Sequence, residues 1–356
     1  MAADSKIEWT DHTWTPVVGC DPVSPACANC YAATMAARLA AMSQEKYRGV
    51  AIRVGGKGKW TGKVNFWEPE LVKPLTVRKA SRWFLTSMGD VAHEALTLEQ
   101  IAEMFGVMAV AGATGAFHRE QDGYTVNGSW YHAGIKEQVP VKWPNHLSGP
   151  HTFMVLTKRG ARMAQLLLDS RFRKLVSHAA YRWAHNRVSA GNIADGIYPD
   201  WSDFRGEATK YWPMPNVVIG CTAEDQQRAD ELRPHMAEIA AAGWKTFVSY
   251  EPALGPVDWK GWEFLSQLIS GGESGHKARP SHPDWHRAAR DFATAHGIAY
   301  LFKQWGEWAP YGRSRIDSAL LAAPKSLDEP IQRFGKKLAG RLLDGREWNE
   351  VPHGAA

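Results

Sequence analysis

The sequence predicts an α/β fold, a full or partial (β/α) barrel with insertions at its C-terminal mouth. Three observations predict it. Short β-rich runs are apolar throughout instead of alternating, as parallel strands buried on both faces require. Amphipathic stretches at helical period separate them. Each run ends in polar or small residues, and parallel α/β folds gather their chemistry at the C-terminal ends of strands.

The runs, in order, are Thr15–Gly19 (TPVVG), Trp83–Ser87 (WFLTS), Thr152–Thr157 (TFMVLT), Asn216–Cys221 (NVVIGC), Lys245–Ser249 (KTFVS), Gln267–Ser270 (QLIS) and Ile298–Lys303 (IAYLFK). Helical periodicity fills the gaps over Leu98–Ala109, Ala161–Asp169, Ala223–Ala241 and Trp285–His296. The strand tips read Gly-Cys, Ser-Met-Gly-Asp, Thr-Lys-Arg, Cys-Thr-Ala-Glu, Tyr-Glu-Pro, Gly-Gly-Glu-Ser-Gly and Lys-Gln-Trp. Such unlike polar tips exceed what solubility requires and point to a site at one end of the sheet.

Two stretches break the rhythm. Residues 111–150 are rich in Gly, His, Asn and Tyr, and residues 171–214 carry Arg171, Arg173, Arg182 and Arg187 among aromatics. Both read as insertions above the barrel mouth, either substrate-binding or plain surface excursions. The run 335–352 (GKKLAGRLLDGREWNEVP) reads as a short element packing back on the body. The expected organisation is a barrel domain over 1–330 and an extension over 331–356.

With 356 residues, 44% apolar and 22% charged, the chain has material for a sizeable core. No run reaches the roughly eighteen apolar residues of a membrane span, and the N-terminus lacks a secretory pattern, so no membrane partner and a cytoplasmic location are expected. The net charge of +5 tolerates an anionic partner without demanding one. The 17 tryptophans suit base stacking, but core packing is the usual fate of large rings.

Three of the four cysteines fall in one short stretch, Cys20, Cys27 and Cys30, followed by Tyr31. Clustered cysteines in a chain without a disulfide framework point to metal or redox chemistry. Gly19, Pro22 and Pro25 make the stretch a loop, and a helix starting near Tyr31 favours negative charge at its N-terminus. Three metal readings stand. Zinc takes four ligands, and the spacing selects no fourth from His12, Asp11 or Asp21. An electron-transfer [4Fe–4S] cluster needs a fourth cysteine, and only the remote Cys221 is left. A cluster on three cysteines leaves one iron open for S-adenosylmethionine.

The chain resembles the phage-associated three-Cys-motif proteins, a radical-SAM-like family. The resemblance runs through SKIEWTDHTWTPVVGCDPVSPACANCYA (5–32), SMGDVAH (87–93), LTKRGARM (156–163), SYEPALGP (249–256), ISGGESGHKARP (269–280), FKQWGEW (302–308) and AGRLLDGREWNEVP (339–352). It implies a barrel of the radical-SAM type and a [4Fe–4S] cluster on Cys20, Cys27 and Cys30. It also implies S-adenosylmethionine on the open iron, cleaved to a 5′-deoxyadenosyl radical with electrons from a flavodoxin- or ferredoxin-type donor. The cysteine spacing departs from the commonest radical-SAM motif. Asn29, not an aromatic, precedes the last cysteine, which leaves Tyr31 as the candidate for adenine contact.

The same resemblance implies cofactor roles at the tips. Ser87, Met88, Gly89 and Asp90 would hold the methionyl ammonium, Lys158 and Arg159 its carboxylate, and Thr222 and Glu224 the ribose. For Asp90 and Glu224 the plainer reading is a carboxylate near a helix start. Glu251 is a candidate to orient S-adenosylmethionine or substrate. Glu273, Arg279, Lys303 and Gln304 are candidate substrate contacts, with a tight turn and a surface arginine as the plainer reading of Glu273 and Arg279. Cys221 ends a strand and is expected on the face of the cluster loop, as hydrogen-atom donor or fourth ligand; a small buried hydrophobe is the plainer reading. Phage association, the basic balance and the aromatic insertions suggest a DNA or nucleotide substrate, for example isomerisation or hypermodification of a substituted thymine. The rival is a zinc-stabilised nucleic-acid-binding protein without catalysis.

Overall fold

The computed structural model describes residues 5–112 except 6 and 78, then 123–126, 129–132, 141–142, 151–189, 212–310 and 330–352. Seven strands form one sheet: β1 (His12–Trp14), β2 (Arg82–Leu85), β3 (Thr152–Thr157), β4 (Val217–Thr222), β5 (Lys245–Tyr250), β6 (Gln267–Gly271) and β7 (Ala299–Gln304). They lie in chain order, every neighbouring pair parallel, and β1 and β7 are the two edges. This is a mixed α/β fold with a partial (β/α) barrel.

Strand pleating divides the sheet into two faces. Phe84, Met154, Val218, Phe247, Ile269 and Leu301, one from each of β2 to β7, pack together on the inner face around Trp9. Their neighbours Trp83, Leu85, Phe153, Val155, Val217, Ile219, Val248, Leu268 and Tyr300 face the helices. At Gly220 a Cβ would fall 2.2 Å from the Phe247 ring, so only glycine lets that ring cross the inner face.

Among the described residues the longer helices are α1 (Tyr31–Ala41), α2 (Leu98–Gly112), α3 (Gly160–Leu168), α4 (Ser170–Ser189), α5 (Gln226–Ala241) and α6 (Pro283–Ala295). Thr97 and Gln100 make a reciprocal capping box at α2, with Gln100 N donating to Thr97 Oγ1 (3.2 Å) and Thr97 N to Gln100 Oε1 (3.0 Å). Asp225 caps α5 by accepting from Arg228 N at 2.9 Å.

Two expectations are corrected. The first sheet strand is His12–Trp14, not 15–19. Pro16 has no N–H for a ladder, and Val17–Val18 turn away to pair antiparallel with Asn65–Phe66. Residues 170–189 are not a surface excursion but the helix α4, whose Phe172, Val176 and Ala179 enter the core against α2. Of the rest of that expected insertion, 171–214, residues 190–211 lie outside the described residues and Met214 packs in the core. Of 111–150, the described part beyond α2 is a small antiparallel sheet of Gly123–Val126, Ser129–His132 and Val141–Lys142.

The C-terminal run lies against β7. Phe302 N donates to Trp348 O (3.0 Å) and Glu350 N to Tyr300 O (3.1 Å), so the tail covers the free edge of β7. Among the described residues no helix is long and apolar enough to cross a membrane.

Candidate functional site at the C-terminal mouth

The three clustered cysteines sit on the loop between β1 and α1, over the C-terminal ends of the strands. Gly19 opens the loop at φ +101°, donating its N–H to Met88 O (3.0 Å) and bridging to Gly89 at the tip of β2. A Cβ on Gly19 would fall 2.1 Å from the Lys63 carbonyl oxygen. A 3-10 turn over Pro25–Asn29 carries Cys27, and Cys30 occupies the N-cap position of α1. All three cysteines are half-buried residues.

Side chains from four strand tips grip this loop. At the end of β4, the fully buried Glu224 accepts from Ser24 Oγ and Lys158 Nζ on one oxygen and from Ala26 N (2.8 Å) on the other. Lys158, at the end of β3, also donates to Ser24 Oγ at 2.9 Å. After β6, Glu273 Oε2 accepts from Asn29 Nδ2 (3.1 Å), and Arg279 Nη1 donates to Pro25 O (3.2 Å). Beyond β2, His93 takes a backbone N–H from Ala95 on Nδ1, which leaves its Nε2 proton for Asp21 Oδ2 at 3.1 Å.

Arg159 is the cation beside the thiols. Its Nη1 lies 3.8 Å from Cys20 Sγ and 3.2 Å from Asp90 Oδ2, and its Nε donates to Glu94 at 2.7 Å. Burial works against this charge, but Asp90, Glu94 and Cys20 together hold the guanidinium above its usual range. Burial, with Asp90 adding to it and Arg159 opposing it, pushes the Cys20 thiol up to about 11. Asp90 is itself fully engaged, accepting from Ala92 N, Thr157 Oγ1, Lys158 N and Arg159 Nη1.

The expected site residues converge here with one exception. The Tyr31 ring is exposed and its hydroxyl donates to Ser87 O (3.1 Å), while the Ser87 hydroxyl meets Thr15 Oγ1. Met88 is buried behind α1 with Ala36, Val18 and Tyr47. Thr222 is buried at the end of β4. Glu251 and Lys303 form an ion pair of 2.8 Å across β6. Glu273 is held below the usual carboxylate range against the cost of burial, chiefly by hydrogen bonds from Arg279. Gln304 Nε2 donates to Ser274 Oγ (2.9 Å), and its Oε1 is buried without a partner among the described residues. Trp305 is core, its Nε1 donating to Leu342 O (2.9 Å).

Cys221 is the exception. On β4 it alternates with the inner residues and joins Val217, Ile219 and Ala223 in the helix-facing core, not the face of the cysteine loop. It is fully buried, and burial pushes its thiol well up.

The chain matches the model of a family described as "Protein of unknown function (DUF5131)" over residues 4–115 and 135–352. The chain belongs to the DUF5131 family. No curated protein and no solved structure matches it. The two DUF5131 stretches contain every residue of the loop and its grips, and the gap between them falls inside the expected 111–150 insertion.

Sequence reasoning missed Ser24, His93 and Glu94, because their spacing from the cysteines carries no periodic signal, and it weighed Asp21 only as a zinc ligand. Asn29 was noticed only as a departure from an aromatic; here it is a bridge between loop and β6 tip. Among the described residues no three His, Cys, Asp or Glu side chains close on one point as a single metal ion would need.

Proposed function

We propose that this protein is a radical S-adenosylmethionine enzyme of the cytoplasm. On this reading Cys20, Cys27 and Cys30 hold a [4Fe–4S] cluster whose fourth iron takes S-adenosylmethionine. One observation carries it: a loop with three half-buried cysteines is fastened over the C-terminal ends of a parallel half-barrel by its own strand tips. The donor set fits. It is all thiol, as iron–sulfur clusters prefer, and Arg159 supplies a positive charge beside Cys20.

When bound, the cluster would supply the electron that cleaves S-adenosylmethionine, itself refilled by a flavodoxin- or ferredoxin-type donor. The chain's own groups do the positioning. Glu224, Lys158 and Ser24 fix the loop between its first two cysteines, and Asn29 fixes the approach to the third. Because Asp90 and Glu224 already spend both oxygens on the protein, we assign them to holding the site together instead of to the cofactor. The exposed Tyr31 ring remains the adenine candidate, and the Glu251–Lys303 pair the candidate for a charged group of cofactor or substrate. The substrate is proposed to be a nucleic-acid base or nucleotide, with rearrangement of a substituted thymine in phage DNA as the specific form.

Anaerobic purification with iron and sulfide counts, followed by reduction with S-adenosylmethionine, tests this. A brown protein with about four irons per chain that releases 5′-deoxyadenosine is expected. A colourless protein with one zinc, or a reconstituted cluster that leaves S-adenosylmethionine intact, overturns it.

A further inference from the structure

Between Lys46 and Trp67 the chain carries Lys46, Arg48, Arg53, Lys57, Lys59 and Lys63 and no acidic residue. Lys46 is spent on Glu70. The others surround an antiparallel hairpin, Ala51–Val54 with Lys57–Trp60, turned by Gly55 and Gly56 at positive φ. Arg48, Arg53, Lys59 and Lys63 are exposed.

The hairpin has one committed face. A Cβ on Gly58 would fall 2.3 Å from Ala33 O, so the ribbon lies directly against α1 behind the cysteine loop. Cross-strand register puts Ala51, Arg53 and Trp60 on that same face and Ile52, Val54, Lys57 and Lys59 on the other. The outward face therefore offers the exposed Lys59, with the half-buried Lys57 next to it, beside two β-branched side chains, Ile52 at 52% and Val54 at 43% exposed. Lys57 reaches the loop itself, donating to Asn29 Oδ1 at 3.1 Å, and Asn29 in turn donates to the carbonyl of the exposed Lys277. The basic ribbon thus runs up to the rim of the cysteine loop.

We propose that this hairpin is a DNA-binding ribbon that seats a duplex beside the cysteine loop. A two-stranded ribbon is the width the major groove of B-DNA admits. Arms of about 13 Å, with a tip bare of side chains, can enter it while the basic residues meet phosphates on either wall. The inference rests on the nucleic-acid part of the proposed function. It is read by binding alone, without reductant or S-adenosylmethionine, so its failure is separate from a failure to cleave the cofactor.

The test is fluorescence anisotropy of the full chain with a labelled DNA duplex across a salt series. Four phosphate contacts predict that affinity falls about a hundredfold between roughly 50 and 200 mM salt. The K59Q/K63Q variant should bind about tenfold more weakly, with the log–log salt slope reduced by about two. R171Q/K174Q, an equal loss of charge on α4, should bind as wild type. Should K59Q/K63Q melt early, the single variants K59Q and K63Q carry the same comparison, each with the slope reduced by about one. Unchanged binding by the hairpin variants, an equal drop in R171Q/K174Q, or binding to phosphatidylserine vesicles in place of the duplex would overturn the proposal.

Discussion

The Glu224 carboxylate accepts a 2.8 Å hydrogen bond from the backbone N–H of Ala26, 198 residues earlier in the chain. A side chain at the end of β4 thereby holds the peptide next to Cys27. The same carboxylate binds Lys158 and Ser24, so one buried group ties two strand tips to the loop. In E224Q an amide replaces an acceptor facing a lysine ammonium, and one donor loses its partner. The variant should lose about 1–3 kcal/mol of stability in urea unfolding. It should also take up less iron on reconstitution than wild type. Wild-type stability together with wild-type iron would show that the clamp does not set the loop.

Gly19 is where the chain turns from sheet to cysteine loop. Its φ of +101° is strained for any L side chain, and a Cβ would meet backbone, not a yielding side chain. G19A should therefore displace Cys20 and lower the melting temperature. The cost should be at least about 1–3 kcal/mol. G275A, at positive φ but in open space, should lack the clash and spare iron uptake. Equal iron loss in both variants would sink the argument from the clash.

His286 gives the pH dependence. It is fully buried between Ser270 Oγ (3.2 Å) and Ser281 Oγ (2.9 Å). Burial, with Arg287 and His282 adding to it, pushes its imidazole down from 6.5 to about 3. A depressed folded value means the unfolded chain takes up the proton first. Its contribution is thus complete above pH 6.5 and is lost as pH falls toward 3. By pH 5 the loss should reach about 2 kcal/mol. Urea midpoints at pH 7.5 and 5 should differ for this reason, and H286Q should shrink the difference. A variant with the full wild-type pH dependence would remove His286 as its source.

The fold was legible because parallel strands buried on both faces leave a local mark. Thr152–Thr157 was bounded from its apolar run alone, and β4 to β7 were displaced by one residue or less at each end. α4 escaped because arginines are scattered among its apolar residues, although Phe172, Val176, Ala179 and Trp183 keep helical spacing. The site was legible only in part. Thiols and strand-tip charges are visible one by one, but their partners are not. That Asp90 and Glu224 serve the protein's own donors depends on tertiary contacts between residues tens to hundreds of positions apart. Cys221 was misplaced by a single residue of strand parity, which is enough to turn a side chain to the opposite face.

That parity makes the cysteines themselves the sharpest comparison. Cys20, Cys27 and Cys30 share one loop above the sheet, whereas Cys221 packs with Val217 and Ile219 below it. C20S, C27S and C30S should each abolish iron retention and release of 5′-deoxyadenosine while leaving the circular dichroism spectrum unchanged, because none of the three belongs to the main core. C221A should keep its iron and its cofactor cleavage and lose only packing, about 1 kcal/mol for a group of that size. Iron in the C221A protein falling as far as in C20S would make Cys221 a ligand after all and would contradict its placement in the helix-facing layer.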